Sequence, residues 1–367
     1  MTKSYKKEEL TGKALTVLGP KNTNQLGKVI CHEHLLIDFN VVFQNPPNPK
    51  ELHLKDEKLN LSNLGWIKKF WVSNKDNLLI DDIEISINEL KHFYKAQGNT
   101  IVDVTSIGLS RNPSALKIIS QRTGVNVIMG SGYYIEKTHP NYFKTDSVYQ
   151  IAEKITNDIL HGVDGTEVHS GIIGEIGCDF PWSSDERKSV HAGVLAQIET
   201  GAPILIHPGR DENAPLEIVN SIMKWGGNTS RTIMGHIERT IYSKSKLLDL
   251  ANSGVYMNFD LFGHESSYYP LDDSTYMPSD HQRIEIISEL IDSGFSNKIL
   301  VGHDICSKHR LKKFGGHGWD HILPMTILAA RVIMTKTIVS VMRAALMRKN
   351  GFWFWCPNLR RLLFGQS

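Results

Sequence analysis

"GKVICHEHLL" (28–37) is the stretch on which the reading of this chain turns. At its centre His32-Glu33-His34 sets two imidazoles two residues apart inside an otherwise apolar run. A buried imidazole is costly unless both ring nitrogens find partners. On a helix a metal-binding pair needs the spacing i, i+4 of HExxH, and that motif is not present. On a strand alternate side chains share a face, so His32 and His34 point the same way only if the segment is extended. The rest of the chain must then supply further ligands.

Seven more segments read like this one: 100–107 "TIVDVTSI", 125–129 "VNVIM", 171–177 "GIIGEIG", 203–207 "PILIH", 231–237 "RTIMGHI", 255–260 "VYMNFD" and 298–304 "KILVGHD". Most are continuous apolar runs, the pattern of parallel strands covered on both faces. Between them lie helical stripes, such as Ile83, Ile87, Leu90 and Tyr94, or Ile284, Ile287 and Ile291. Others fall near 113–123, 148–161, 185–199, 214–225 and 244–252. Gly98, Gly124, Gly201, Gly227, Gly254 and Gly294 follow these helices, where αβ loops need a left-handed residue. "GSGYY" (130–134) lacks the third glycine of a dinucleotide fingerprint. Eight strands alternating with helices predict an α/β chain folded as a (β/α)8 TIM barrel. Residues 1–323 are expected to form this single domain, with 38–80 an insertion or lid and 324–367 an atypical basic and hydrophobic tail.

In such a barrel the chemistry gathers at the C-terminal ends of the strands. Six metal-competent side chains fall there: His32 and His34, Glu175, His207, His236 and Asp304. Any one of them reads as a satisfied core residue or a cap. Five strands ending in ligand-type residues at the same level predict a metal centre. Four imidazoles and two carboxylates exceed one tetrahedral site, so two ions bridged by a carboxylate account for all six. Zn, Mn, Co and Fe all suit such a ligand set. By alternation, Glu33 and His303 face away from this centre.

The bulk properties fit an ordinary globular enzyme: 367 residues, 41% hydrophobic, 22% charged and a net charge of +2. That balance argues against a dedicated nucleic-acid or membrane-surface binder. Cys31, Cys178, Cys306 and Cys356 lie far apart and suit reduced thiols. "MTKSYKKEEL" has no apolar core of a secretory signal, so a cytoplasmic location is expected.

Histidines on strands one, five and six with an aspartate on strand eight resemble the amidohydrolase superfamily. "LTVLGP…LGKVICHEHLL", "GIIGEIGC", "ILIHPGR", "DLFG" and "HDI…KKFGGHGWDHIL" resemble, more closely, the phosphotriesterase-related group of the phosphotriesterase family, over about residues 12 to 323. The resemblance implies that His32, His34 and Asp304 hold the more buried ion, that His207 and His236 hold the more exposed one, and that Glu175 bridges them. Glu175 stands where bacterial phosphotriesterases carry a carboxylated lysine. A hydroxide between the ions would be the nucleophile, with Asp304 taking its proton and passing it to the leaving group. Two divalent ions, zinc first among them, are the implied cofactors.

The implied activity is hydrolysis of N-acetyltaurine and related N-acetyl amino acids to acetate and the free amine. The alternative is a lactonase or phosphotriesterase using the same centre on an ester. A small anionic N-acyl substrate needs a nearby cation: Arg210 is the first candidate and Arg239 the second, with Tyr133 shaping the pocket. No nucleic-acid or membrane partner is expected, and a homodimer stays open. The tail from 324 carries seven Lys or Arg and no acid, unlike the acid-containing end of the family.

Overall fold

The computed structural model describes residues 3–272 and 274–324. The eight apolar runs are strands: β1 Val29–Glu33, β2 Thr100–Asp103, β3 Asn126–Ser131, β4 Ser170–Gly177, β5 Ile204–His207, β6 Thr232–Met234, β7 Tyr256–Phe259 and β8 Ile299–Val301. They form one sheet in strict sequence order, and its ladders are all parallel. Parallel neighbours need crossovers. These are supplied by α1 Ile83–Lys95, α2 Pro113–Thr123, α3 Val148–Leu160, α4 Ser184–Thr200, α5 Ala214–Lys224, α6 Lys244–Asn252 and α7 Asp280–Asp292.

The helices form where the sequence pattern allows burial on one side only. In α3, Ser147 caps the first turn by accepting from Gln150 N, and the Gln150 side chain answers Ser147 N. Such a cap contributes about 1 kcal/mol. Ile151, Ile155 and Ile159 then face the sheet, fully or nearly fully buried. Each stabilises by about 1.5–3 kcal/mol relative to exposure.

Two apolar layers result. One lies between strands and helices. The other groups Val29, Cys31, Val102, Val104, Ile128, Ile172, Leu205, Ile233, Tyr256 and Leu300. Every strand contributes to it, so it is the barrel interior. Ala14 and Leu26 join that cluster from outside the sheet. Ala14 belongs to an antiparallel hairpin, Lys13–Thr16 with Gly19–Asn22, which seals the N-terminal end. The barrel reading alone does not ask for this plug. β8 and β1, the two ends of the sheet, meet through Asp304 N to His32 O at 3.1 Å.

The segment 38–80 is tied at its base by the short ladder of Ile37–Asp38 with Leu79–Ile80. It folds into short helical turns and stacks Trp71 against Phe39, ring centroids 6.4 Å apart. At two helix ends the left-handed residue precedes the expected glycine: Gln97 rather than Gly98, and Gly226 rather than Gly227. Cys31, Cys178 and Cys306 are buried and form no disulfide among the described residues. Among the described residues no helix is long and apolar enough to cross a membrane. Cys356 and the tail from 325 lie outside the described residues.

Candidate metal centre

The six strand-end residues converge, but not by simple alternation. His207 follows the interior Leu205 by two and faces inward on the normal strand period, whereas Asp304 lies three residues beyond the end of β8. His32 is adjacent to the interior Cys31, and Glu175 is three beyond the interior Ile172. Both are on the wrong parity, and both strands slip register there, between Ile30 and Glu33 and between Ile173 and Ile176. A bulge of this kind re-aims a side chain. At Gly174 a Cβ would sit 2.4 Å from Leu205 O, with φ at 125°, so the approach that delivers Glu175 requires glycine. His236 is turned inward by a left-handed backbone, φ 53°, and Asp304 also has positive φ, 49°.

Of three groups close enough to hold an ion, two use the expected residues, His32, His34 and Asp304, and Glu175, His207 and His236; the third joins His32 and His236 to Asp260. His34 Nε2 lies 3.1 Å from Asp304 Oδ1. Glu175 Oε1 lies 2.9 Å from His207 Nδ1 and 3.0 Å from His236 Nε2. It is also 3.4 Å from His32 Nε2, so Glu175 stands between the two groups.

The outer hydrogen bonds fix which nitrogen is free. Asp260, at the end of β7, accepts from His32 Nδ1 at 2.8 Å through one oxygen and from His236 Nδ1 at 2.8 Å through the other. Thr105 gives its proton to Leu36 O at 3.1 Å and so accepts from His34 Nδ1 at 3.0 Å. All three imidazoles therefore turn an Nε2 lone pair inward, as metal-ligating histidines do. His207 is reversed: its Nε2 accepts from Arg239 Nη2 at 3.1 Å, so the neutral ring carries its proton on Nδ1, which donates to Glu175 Oε1 at 2.9 Å. That proton or the ring must move before His207 holds an ion.

His32 Nε2 tests the fit of an ion. It is buried and has no hydrogen-bond partner among the described residues, a costly state for an imidazole. A cation at that point would satisfy it. The electrostatics agree. Burial opposes charge on His32, yet Glu175, Asp260 and Asp304 outweigh it and hold its pKa well above the ordinary value. The field that would hold a proton there also favours a divalent ion. Burial pushes Glu175 up, but the charge of His32 and the hydrogen bonds from His207 and His236 override it and hold its pKa well below the ordinary carboxylate value. Burial drives His207 well below the ordinary imidazole value, the neutral form a ligand needs.

A narrow cavity of about 30 Å³ opens onto the cluster. Phe39 and Trp71 from segment 38–80, Tyr134, Arg210, Arg239, Tyr269 and Cys306 line it. Arg210 donates through Nε and Nη2 to Tyr269 Oη at 3.2 and 3.1 Å. Arg239 is buried and donates also to Pro208 O at 3.1 Å. Burial, and then the neighbouring Arg210, depress its pKa. Among the described residues neither guanidinium forms an ion pair with a carboxylate.

Tyr133 is a correction. It is fully buried against Phe143 and Tyr142, with its hydroxyl 3.3 Å from that of Tyr142. Ser131, two residues earlier, bonds outward to Asp158 at 2.6 Å. The two share the outer face, and Tyr134 is the aromatic that reaches the pocket, 3.4 Å from His207 Nδ1. Burial, and next Glu175, push its phenol well above the ordinary value, so it remains a donor. Cys306 is likewise kept a thiol by burial. His303 faces away as expected and bonds Glu33. Asp260 escapes the sequence reading, although "NFD" ends β7 with an acid at the same level as the other ligand-type residues.

Comparison with known proteins agrees with this architecture. Residues 12–343 match the Phosphotriesterase family. The phosphotriesterase-related protein of Nematostella vectensis is 44% identical over 316 residues, covering 85% of this chain and 90% of that protein. The N-acetyltaurine hydrolase of Mus musculus is 42% identical over 315 residues, covering 86% and 90%. Among solved structures, a resiniferatoxin-binding protein from Rhodobacter sphaeroides superposes with a TM-score of 0.88 at 29% identity, covering 98% of each chain.

Proposed function

The chain belongs to the phosphotriesterase family and is a hydrolase, and from that premise we propose that it cleaves N-acetyltaurine and related anionic N-acetyl amino acids to acetate and the free amine. The observation that carries the reading is the pair Arg210 and Arg239, one half-buried and one buried cation beside the cluster that lack a carboxylate partner among the described residues. An unpaired buried charge is expensive, and a substrate sulfonate or carboxylate would supply the missing anion through bidentate hydrogen bonds.

Six residues would hold two divalent ions: His32, His34 and Asp304 for one, His207 and His236 for the other, with Glu175 shared. Such ions supply Lewis acidity toward a carbonyl oxygen and lower the pKa of water. Asp304, part exposed to the cavity, takes a proton from the attacking water at a carboxylate oxygen and delivers it to the departing nitrogen. Glu175 balances positive charge between the two groups. Asp260 and Thr105 hold the rings of His32, His236 and His34. Tyr134 donates from the cavity wall, and Phe39 and Trp71 exclude water.

The test is ion content together with hydrolysis of N-acetyltaurine, N-acetylmethionine and a neutral lactone, for the wild type and Arg210→Met. About two ions per chain are expected, with amide cleavage lost on chelation. The variant should lose most of its kcat/KM on the anionic amides and little on the lactone. Equal loss on both refutes the role of Arg210. Lactone turnover without amide turnover would favour the ester reading.

A further inference from the structure

β1 and β8 are the two ends of the sheet, and no ladder joins them among the described residues. The ligand group His32, His34 and Asp304 straddles this seam. Close approach is possible because residue 302 is glycine: a Cβ there would lie 3.0 Å from His32 O and 3.2 Å from His32 N. A main-chain bond, from Asp304 N to His32 O at 3.1 Å, crosses directly.

Two buried charged side chains that face away from the cavity add to the grip. Glu33 lies between the two histidines and points out of the barrel. Its Oε1 accepts from His303 N at 2.8 Å and from His303 Nδ1 at 2.6 Å, and its Oε2 accepts from Ile305 N at 3.2 Å. Arg310 answers from the other side. Its Nη1 donates to His303 O at 2.7 Å and Asp304 O at 2.8 Å, and its Nη2 donates to Phe262 O at 2.9 Å. The carboxylate thus holds the N–H groups of His303 and Ile305, the residues flanking Asp304, and the guanidinium holds the carbonyls of His303 and Asp304. Asp304 itself is left-handed, a conformation that persists in a non-glycine residue only where the surroundings over-determine it.

We propose that Glu33 and Arg310 are positioning residues that set Asp304 against His32 and His34 across the barrel seam. Ion affinity in that half of the centre then depends on side chains that touch neither ion nor substrate. The proposal rests on the reading of Asp304 as a ligand.

Glu33→Gln keeps the volume and one acceptor oxygen but turns an amide NH2 toward a backbone N–H. Zinc affinity is measured by chelator competition on ion-free protein, alongside kcat, KM and the thermal midpoint. We expect zinc to bind about 10- to 100-fold more weakly in one of the two positions, as when an outer partner of a ligand is lost. kcat should fall while KM holds. Asp158→Asn is the control, because Asp158 is a buried carboxylate of similar type, bonded to Arg111 and Ser131 at 2.6 Å each, away from the seam. It should lower the thermal midpoint and leave zinc affinity unchanged. Wild-type affinity in Glu33→Gln, or a loss no greater than in Asp158→Asn at a matched midpoint, overturns the proposal. Should Glu33→Gln not fold, Arg310→Lys is read by the same criterion, since one ammonium cannot reproduce the fork that holds His303 O and Asp304 O through Nη1 and Phe262 O through Nη2. A wild type that takes up no ion refutes the reading of the centre itself, whereas ion uptake with an unmoved variant refutes only the clamp.

Discussion

Asp260→Asn is the sharpest perturbation of the centre that leaves every proposed ligand in place. The native carboxylate is fully buried and accepts four hydrogen bonds. On Oδ1 these come from His236 Nδ1 at 2.8 Å and His236 N at 2.9 Å, and on Oδ2 from His32 Nδ1 at 2.8 Å and Asn258 Nδ2 at 2.9 Å. An asparagine has one oxygen, so whichever way it turns, two donors face an NH2 group. The imidazole on that side then moves its proton to Nε2 and loses the inward lone pair. The cost to ion affinity should be about 10- to 100-fold, or about 1.4–2.7 kcal/mol. The assay is competition of the apo-protein with a chromophoric zinc chelator, with ion content measured on the same sample. Affinity within about twofold of wild type would refute the claim that Asp260 sets the tautomers of His32 and His236.

Three further outcomes follow from other parts of the molecule. Arg283 is fully buried and pairs with Glu238 at 3.1 Å and Asp280 at 2.9 Å; Arg283→Met should destabilise by about 3–5 kcal/mol. The double variant with Glu238→Gln should lose less in urea unfolding, and equal or greater loss would exclude the stranded charge as the cause. Burial acts to raise Asp280, but its hydrogen bond to His321 at 2.7 Å and the other donors win and hold its pKa down at about 2, from 3.8. A depressed carboxylate stabilises above its unfolded pKa, so this contribution, about 2 kcal/mol, is present above pH 3.8 and is lost as pH falls toward 2. Asp280→Asn should therefore be less stable than wild type at neutral pH, with the gap closing over that window; a gap independent of pH would remove the account. Gly174→Ala places a methyl 2.4 Å from Leu205 O at a φ of 125°. It should cost about 1–3 kcal/mol and weaken ion binding by moving Glu175, read by unfolding and the same zinc competition.

The strand order and helix placement were legible because both rest on local periodicity: runs of apolar residues for strands covered on two faces, and stripes for helices covered on one. His207 could be placed by counting alternate residues from the apolar run, because β5 keeps its period; Asp304 lies past the end of β8 on a left-handed backbone. Counting fails where the backbone departs from it. His32 and Glu175 reach the interior only through register slips, and His236 only through a left-handed turn, and no residue type announces those in advance. The same parity separates Tyr133 from Tyr134. Strand-end position pointed to the six candidate ligands, and the same rule would have flagged Asp260. Its bonds to rings on two other strands, like the crossing of Glu33 to the far edge of the sheet, arise only when the barrel closes. Chain-local pattern therefore determined which elements form and which end of the barrel carries the chemistry. Tertiary structure decided which atoms meet there, because hydrogen-bond partners 228 and 270 residues apart are chosen by closure of the sheet rather than by spacing along it.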